Sequence, residues 1–235
     1  MNKFMKKAVV LCTAGIIGVT SLTGCGDKLD PDQVVATVGD ESITLGTANF
    51  FARLQQASYE TYYAGMMGTT GEEMWNQIDE SGVSYQDGVK DGLMDNLTTM
   101  YVLRQHADEY GVSVTDDEKN AIEKAAKEFL ESNSEEVLNE VSADEETIKE
   151  LLELMTIQFK MREPLLEEAT KAAESEKESE AQESDVDAQA AIDYQYNEII
   201  SEWKKDVKVD VDKEAWNKID FKKKGFTIKQ QEENN

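Results

Sequence analysis

Pro31 and Pro164 are the only prolines among 235 residues, so almost nothing in the backbone forbids long helices. Helix starts are marked repeatedly. Thr44 precedes a run in which Phe50, Leu54, Ala57, Thr61 and Tyr62 recur at three- and four-residue steps. This spacing predicts a helix from Leu45 to Ala64 that stops at Gly65, with Met66 to Gly71 as a flexible connection. Ser84 with Asp87 opens a second helix, whose inward stripe is Val89, Leu93, Leu97, Met100, Tyr101 and Leu103, ended by Gly111. Thr115 with Glu118 is a full capping box before Ile122, Ala126, Phe129 and Leu130. A short turn follows at Val137 and Leu138. Ser142 with Glu145 repeats the capping pattern before Ile148, Leu151, Leu152, Met155, Phe159 and Leu166, with a kink or break expected near Arg162 because Pro164 follows.

Strand signals are confined to the two ends. Val34 to Val38 and Ser42 to Thr44 flank a glycine-containing turn, as in a short hairpin, and Val207, Val209 and Val211 alternate with polar residues at the two-residue strand period. Between them, Ala172 to Asp187 holds seven acids, one lysine and a single large aliphatic, Val186. That composition reads as a solvated linker, with a glutamate-rich helical continuation as the alternative. Ile192, Tyr196, Ile199, Ile200 and Trp203 then resume helical spacing, Trp216 and Ile219 suggest a short turn, and Phe226 to Ile228 a final extended piece. The expected fold class is mainly α, with the hairpin at one end and a C-terminal helix plus strand packing back on it. The lysines from Lys204 to Lys224 are expected to meet the acidic helices in that return.

Lys3, Lys6 and Lys7 followed by the apolar run Ala8 to Val19 have the order of a secretory leader, too short for a membrane-spanning helix. Leu22-Thr23-Gly24-Cys25 then matches the lipobox of bacterial lipoproteins. That pattern implies cleavage after Gly24 and a diacylglyceryl group on Cys25, and two acyl chains suffice for stable anchoring on the outer face of the cell membrane. The expected division is leader 1–24, tether 25–33, a helical body 34–171, an acidic linker 172–187 and a closing segment 188–235. Cys12 leaves with the leader, so the processed chain has no thiol for a disulfide or a thiolate metal site. The chain carries 49 acids against 24 bases, and removing Lys3, Lys6 and Lys7 takes its charge from −25 to −28. A surface of that sign repels nucleic acid.

Catalytic machinery is sparse. His106 is the only histidine and lies in a patterned helix, where a surface or capping role is the ordinary one. No phosphate loop, calcium loop or zinc motif occurs, so no cofactor or metal is expected. The distinctive feature is soft apolar surface: Tyr59, Tyr62, Tyr63, Met66, Met67, Met74 and Trp75 crowd one stretch. Methionine adapts its shape, and tyrosine and tryptophan join a large apolar face to a polar handle, which suits varied unfolded partners. The same residues at helical spacing also make ordinary core.

The hairpin Val34-Val35-Ala36-Thr37-Val38-Gly39-Asp40-Glu41-Ser42-Ile43-Thr44, running into a helix with Phe50 and Phe51, resembles the opening of the SurA/PrsA group of extracytoplasmic foldases. The junction Asp108 to Thr115 followed by Asp116-Asp117-Glu118 resembles the same group's next helix boundary. The likeness covers about Val34 to Leu166 and again Ile192 to Trp216. It implies a SurA N-terminal-like helical chaperone domain that holds unfolded or newly exported polypeptides. In that group a parvulin prolyl isomerase module lies between the N-terminal helices and the C-terminal helix, and here only the acidic stretch stands in its place. Chaperone action without isomerase catalysis is therefore the expectation. The alternatives are a residual prolyl isomerase and a docking lipoprotein for one folded partner.

Overall fold

The computed structural model describes residues 16–20, 29–177 and 185–228. Cys25, the basic start of the leader and residues 25–28 of the tether lie outside them. The first described element, β1 (Ile16–Thr20), falls within the expected leader and pairs with the last strand among the described residues.

The hairpin forms as its pattern requires. β2 (Val34–Val38) and β3 (Glu41–Thr44) pair antiparallel around Gly39, which supplies the left-handed turn conformation at φ +59°. Ala36, Val38 and Ile43 are buried on one face, because alternate residues of a strand and cross-strand partners such as Ala36 and Ile43 share a face, and Val35 is buried as well at the register shift between Val34 and Ala36. Thr44 then caps α1 (Leu45–Ser58) by accepting from Thr47 N. The chain continues through a π-helical turn (Tyr59–Tyr63), α2 (Ala64–Met67) and α3 (Gly71–Trp75). Gly65 therefore lies inside a helix, contrary to the expected stop. The stop is at Gly68, whose φ of +65° closes the turn. The expected flexible connection is largely ordered as well, since Thr70 and Glu73 complete a reciprocal capping box that starts α3.

Four longer helices build the body. α4 (Tyr85–His106) starts on the Ser84 cap and runs through a 3-10 turn (Ala107–Tyr110) to Gly111. α5 (Asp116–Ser132) starts on the Thr115 and Glu118 capping box, and Glu118 also receives Lys160 Nζ at 2.9 Å. Burial pushes the Glu118 carboxyl up, but the Thr115 backbone N–H and Lys160 outweigh it and hold the group below its usual range. Replacing Thr115 with alanine removes one side of the box, and the expected loss is about 1 kcal/mol. The matching fall in thermal midpoint is about 2–4 °C, and an unchanged midpoint by calorimetry would show that Glu118 and Lys160 hold this end alone.

After α6 (Glu135–Glu140) comes α7 (Glu145–Lys177). Its cap is Asp144, whose Oδ1 accepts Thr147 N at 2.7 Å, whereas Ser142 sits at φ +54° and caps nothing. The helix passes through Pro164 without the expected break. Proline there withholds one donor from the carbonyl of Lys160, but Met161, Leu165, Ala169 and Ala173 anchor the turns around it in the interior. The acidic stretch begins correspondingly late: Ala173 is core and helix extends to Lys177, as the alternative reading had it, while 178–184 fall outside the described residues.

α8 (Asp185–Asp206) packs along α7 and reaches α4. Its Tyr196, Ile199, Ile200 and Trp203 join Leu103, Ile157, Met161 and Leu165 in a second small core beside the main one. The chain returns as expected: β4 (Val209–Val211) adds to β2, giving the sheet order β3-β2-β4. α9 (Lys213–Asn217) and β5 (Gly225–Ile228) then lay Trp216, Ile219, Phe221 and Phe226 into the core. Of the terminal lysines, Lys204 pairs with Asp95 at 2.7 Å and Lys224 with Glu140 at 2.5 Å. The mainly α class with a small end sheet is the fold observed.

Candidate functional site

The π-helical turn organises the most distinctive surface. A single wide turn lets one helix present different faces before and after it, and such turns recur at functional sites. Glu60 is the inward residue of this turn. Its Oε1 accepts Trp75 Nε1 and Gln56 Nε2, each at 2.7 Å, and its Oε2 accepts the backbone N–H of Phe226 at 2.7 Å. One carboxylate thus ties α1, α3 and β5 together. Burial raises the Glu60 carboxyl above its ordinary value against the pull of these donors and of Arg53. Arg53, deeper in the same layer, is pushed down to about 10 by burial. It donates to Gln56 Oε1 at 2.6 Å and to the carbonyl of Asp220 at 3.1 Å. Gly71 makes room for this arrangement, since a Cβ there would stand 2.8 Å from Glu60 Cγ.

With Glu60 turned in, its neighbours turn out. Tyr62, Tyr63, Met66 and Met67 are 52%, 51%, 83% and 48% exposed, so four of the seven predicted residues form surface. Tyr59 is half-buried and stacks on Tyr63, ring centres 5.0 Å apart. Met74 and Trp75 are different. Both are fully buried, and Trp75 packs against Phe221 at 4.9 Å and Tyr85 at 5.7 Å, so these two support the surface from inside. Helical spacing alone does not separate these cases, because the π turn shifts the register between Ser58 and Ala64.

Beside Tyr59 lies a groove of about 610 Å³. Gln55 of α1 and Tyr59 of the π turn form one wall, the segment Gln77 to Ser84 another, and the face of α4 carrying Tyr85, Gly88, Val89, Gly92, Leu93 and Asn96 the floor. Gly88 and Gly92 are one helical turn apart on that face, and a Cβ at either would meet no atom within 4 Å. Glycine inside a helix is unfavourable by about 1 kcal/mol, and here the two keep the floor open. The Gln77 to Ser84 wall is held by the Ile78 and Ser84 bridge and by Asp79 Oδ1, which accepts the N–H groups of Ser81 and Val83 at 2.9 and 3.0 Å. Ile78 and Val83 on this wall are exposed apolar side chains. None of the groove residues beyond Tyr59 was among the predicted ones. The available signal was Gly88-x-x-x-Gly92 inside an otherwise regular helix.

His106 is elsewhere. Its ring stacks on Trp203 at 4.1 Å and 10°, and Nδ1 lies 3.2 Å from Glu109 Oε1, which makes it part of the seam between α4 and α8. Among the described residues no group of three or more His, Cys, Asp or Glu is arranged to hold a metal ion, and no helix is long and apolar enough to cross a membrane.

No protein-family model matches the chain, and no solved structure matches it. Among curated proteins it is 29% identical over 138 residues to the foldase protein PrsA of Caldanaerobacter subterraneus subsp. tengcongensis. The match takes in 58% of this chain and 43% of that protein, so the chain spans less than half the length of the relative it matches. The chain is thus similar in sequence to part of a foldase of the kind that its hairpin and first helix resemble.

Proposed function

We propose that the protein is an extracytoplasmic chaperone, anchored to the cell membrane through a lipidated Cys25, that holds unfolded or newly exported polypeptides without isomerising prolyl bonds. The carrying observation is the glycine-floored groove next to the exposed Tyr62, Tyr63, Met66 and Met67 surface. A groove of this size with mixed apolar and polar walls accepts side chains of many shapes, and the exposed surface joins it through the Tyr59–Tyr63 stack and carries adaptable methionines that suit promiscuous, fast-exchanging contacts. The strongly acidic exterior keeps such a surface soluble and self-repelling. Similarity to the PrsA foldase over 138 residues supports the same reading. The absence of isomerase catalysis is supported by the α7 to α8 connection, where residues 178–184 alone separate two helices and leave no room for a catalytic module.

The groove floor offers a clean test. Gly92→Leu places a side chain where nothing now stands and replaces a poor helix former with a good one, so the fold keeps or gains stability. The expected result is an unchanged or higher thermal midpoint together with at least a several-fold loss in suppression of aggregation of a chemically unfolded secreted protein. Full holding activity in the variant would remove the groove from the mechanism. Capture of one folded protein, with no general effect on aggregation, would instead favour a docking lipoprotein.

A further inference from the structure

We propose that the outer edge of β5 is a second client site, which takes up an extended, β-branched polypeptide segment by strand addition. The inner edge of β5 is already committed: Phe226 N donates to Glu60 Oε2 at 2.7 Å and Ile228 N to Thr61 Oγ1 at 2.9 Å. Successive backbone groups of a strand point to opposite sides, so Gly225 and Thr227 direct theirs to the outer edge. There the structure seats β1, antiparallel, with Ile16 opposite Ile228, Val19 opposite Phe226 and Thr20 opposite Gly225. These two strands form a sheet of their own.

The occupant shows what the edge accepts. Ile16-Ile17-Gly18-Val19-Thr20 is an apolar, β-branched segment of the kind that favours extended pairing. It lies ahead of Cys25, so on the reading above it leaves with the leader, and the processed chain carries β5 without β1 alongside it. Strand addition draws affinity from main-chain hydrogen bonds and little from side-chain identity, which suits a protein that meets many sequences. A second copy of this chain is disfavoured as occupant. Lys222 and Lys223 stand exposed immediately before the strand, and lysines beside an edge oppose pairing of identical edges. The edge also belongs to the same construction as the groove, because Glu60 and Thr61 of the π turn hold β5 while Tyr59 of that turn walls the groove.

The test uses the processed, lipidated protein in detergent micelles and a fluorescent peptide of the sequence Ala14 to Leu22, read by anisotropy against a micelle blank. Two further peptides each carry one backbone N-methyl group on the regular side of the register shift that lies between Ile16 and Val19, one at Thr20 and the other at Val19. Strand addition predicts that methylation at Thr20 weakens binding about ten-fold or more while methylation at Val19 leaves it close to the parent peptide, since Thr20 opposite Gly225 turns its N–H toward β5 and Val19 opposite Phe226 turns its N–H away. Equal binding of both methylated peptides, or no binding of the parent peptide, overturns the proposal. Aggregation suppression measured on the same preparations separates the two claims. Retained suppression with position-independent binding sinks the β5 edge alone, and position-dependent binding without suppression sinks the holdase reading alone.

Discussion

A chain ended after Lys205 loses its cooperative unfolding transition. The removed segment supplies β4 to the end sheet and places Trp216, Ile219, Phe221 and Phe226 in the main core. Each large apolar side chain withdrawn from a core is worth about 1.5–3 kcal/mol by area alone, so four of them approach the whole stability of about 5–15 kcal/mol expected for a domain. The polar losses act in the same direction. Gln56 Nε2 now donates to the carbonyls of Phe221 and Lys224 at 3.0 and 2.7 Å, and Gln86 Oε1 accepts Phe221 N at 2.7 Å. Lys90, whose ammonium burial pushes down, sits 5.3 Å above the Trp216 ring. All three side chains would be left facing a gap. Urea titration followed by near-ultraviolet circular dichroism measures the effect, and a sharp transition at the parent midpoint would show that residues 29–205 fold alone.

Glu60→Ala is expected to lower stability by about 3 kcal/mol, since buried donors left without an acceptor cost about 1–3 kcal/mol each and two, Trp75 Nε1 and Phe226 N, lose theirs, while Gln56 Nε2 keeps the carbonyls of Phe221 and Lys224. The fall in thermal midpoint would be about 6–12 °C at this chain length. The more telling variant is Glu60→Gln, read against pH. Burial raises the folded-state carboxyl above its ordinary value of 4.5. In the window between the two values the folded state binds the proton that the unfolded state releases. The stability from protonation is therefore fully present below the ordinary value and is lost as pH rises through the raised one. From about pH 7 to about pH 5 the parent's urea midpoint should consequently gain more than that of Glu60→Gln. Parallel pH curves would show that Glu60 does not titrate in this window and that its part is purely geometric.

Much of the architecture was legible because it is local. Capping residues and apolar steps act within a few positions of one another, so Thr44, Ser84 and Thr115 start helices where their side chains meet nearby N–H groups. The misjudged boundaries share a cause. Gly65 and Pro164 are local stop signals and Ser142 a local start signal, and in each case packing or a neighbouring group overrode them: Ala64 is buried beside Gly65, Asp144 caps in place of Ser142, and buried Met161 and Leu165 carry the helix past Pro164. The site was half legible. Tyr62, Tyr63, Met66 and Met67 stand out by composition, but their separation from Met74 and Trp75 depends on which way a π turn rotates the chain. That rotation is tied to Glu60, whose partners lie 4, 15 and 166 positions away.

The sequence by itself determined the helix starts at Thr44, Ser84 and Thr115, the hairpin, the returning β4 strand and the aromatic and methionine-rich stretch, since each depends on residues close in the chain or on a repeating pattern. The tertiary structure alone decided that the groove has a glycine floor, that Trp75 supports it from within, and that β5 is held by the π turn. Those features depend on contacts between Glu60, Trp75 and Phe226, and no short-range rule of capping or periodicity carries information across such separations.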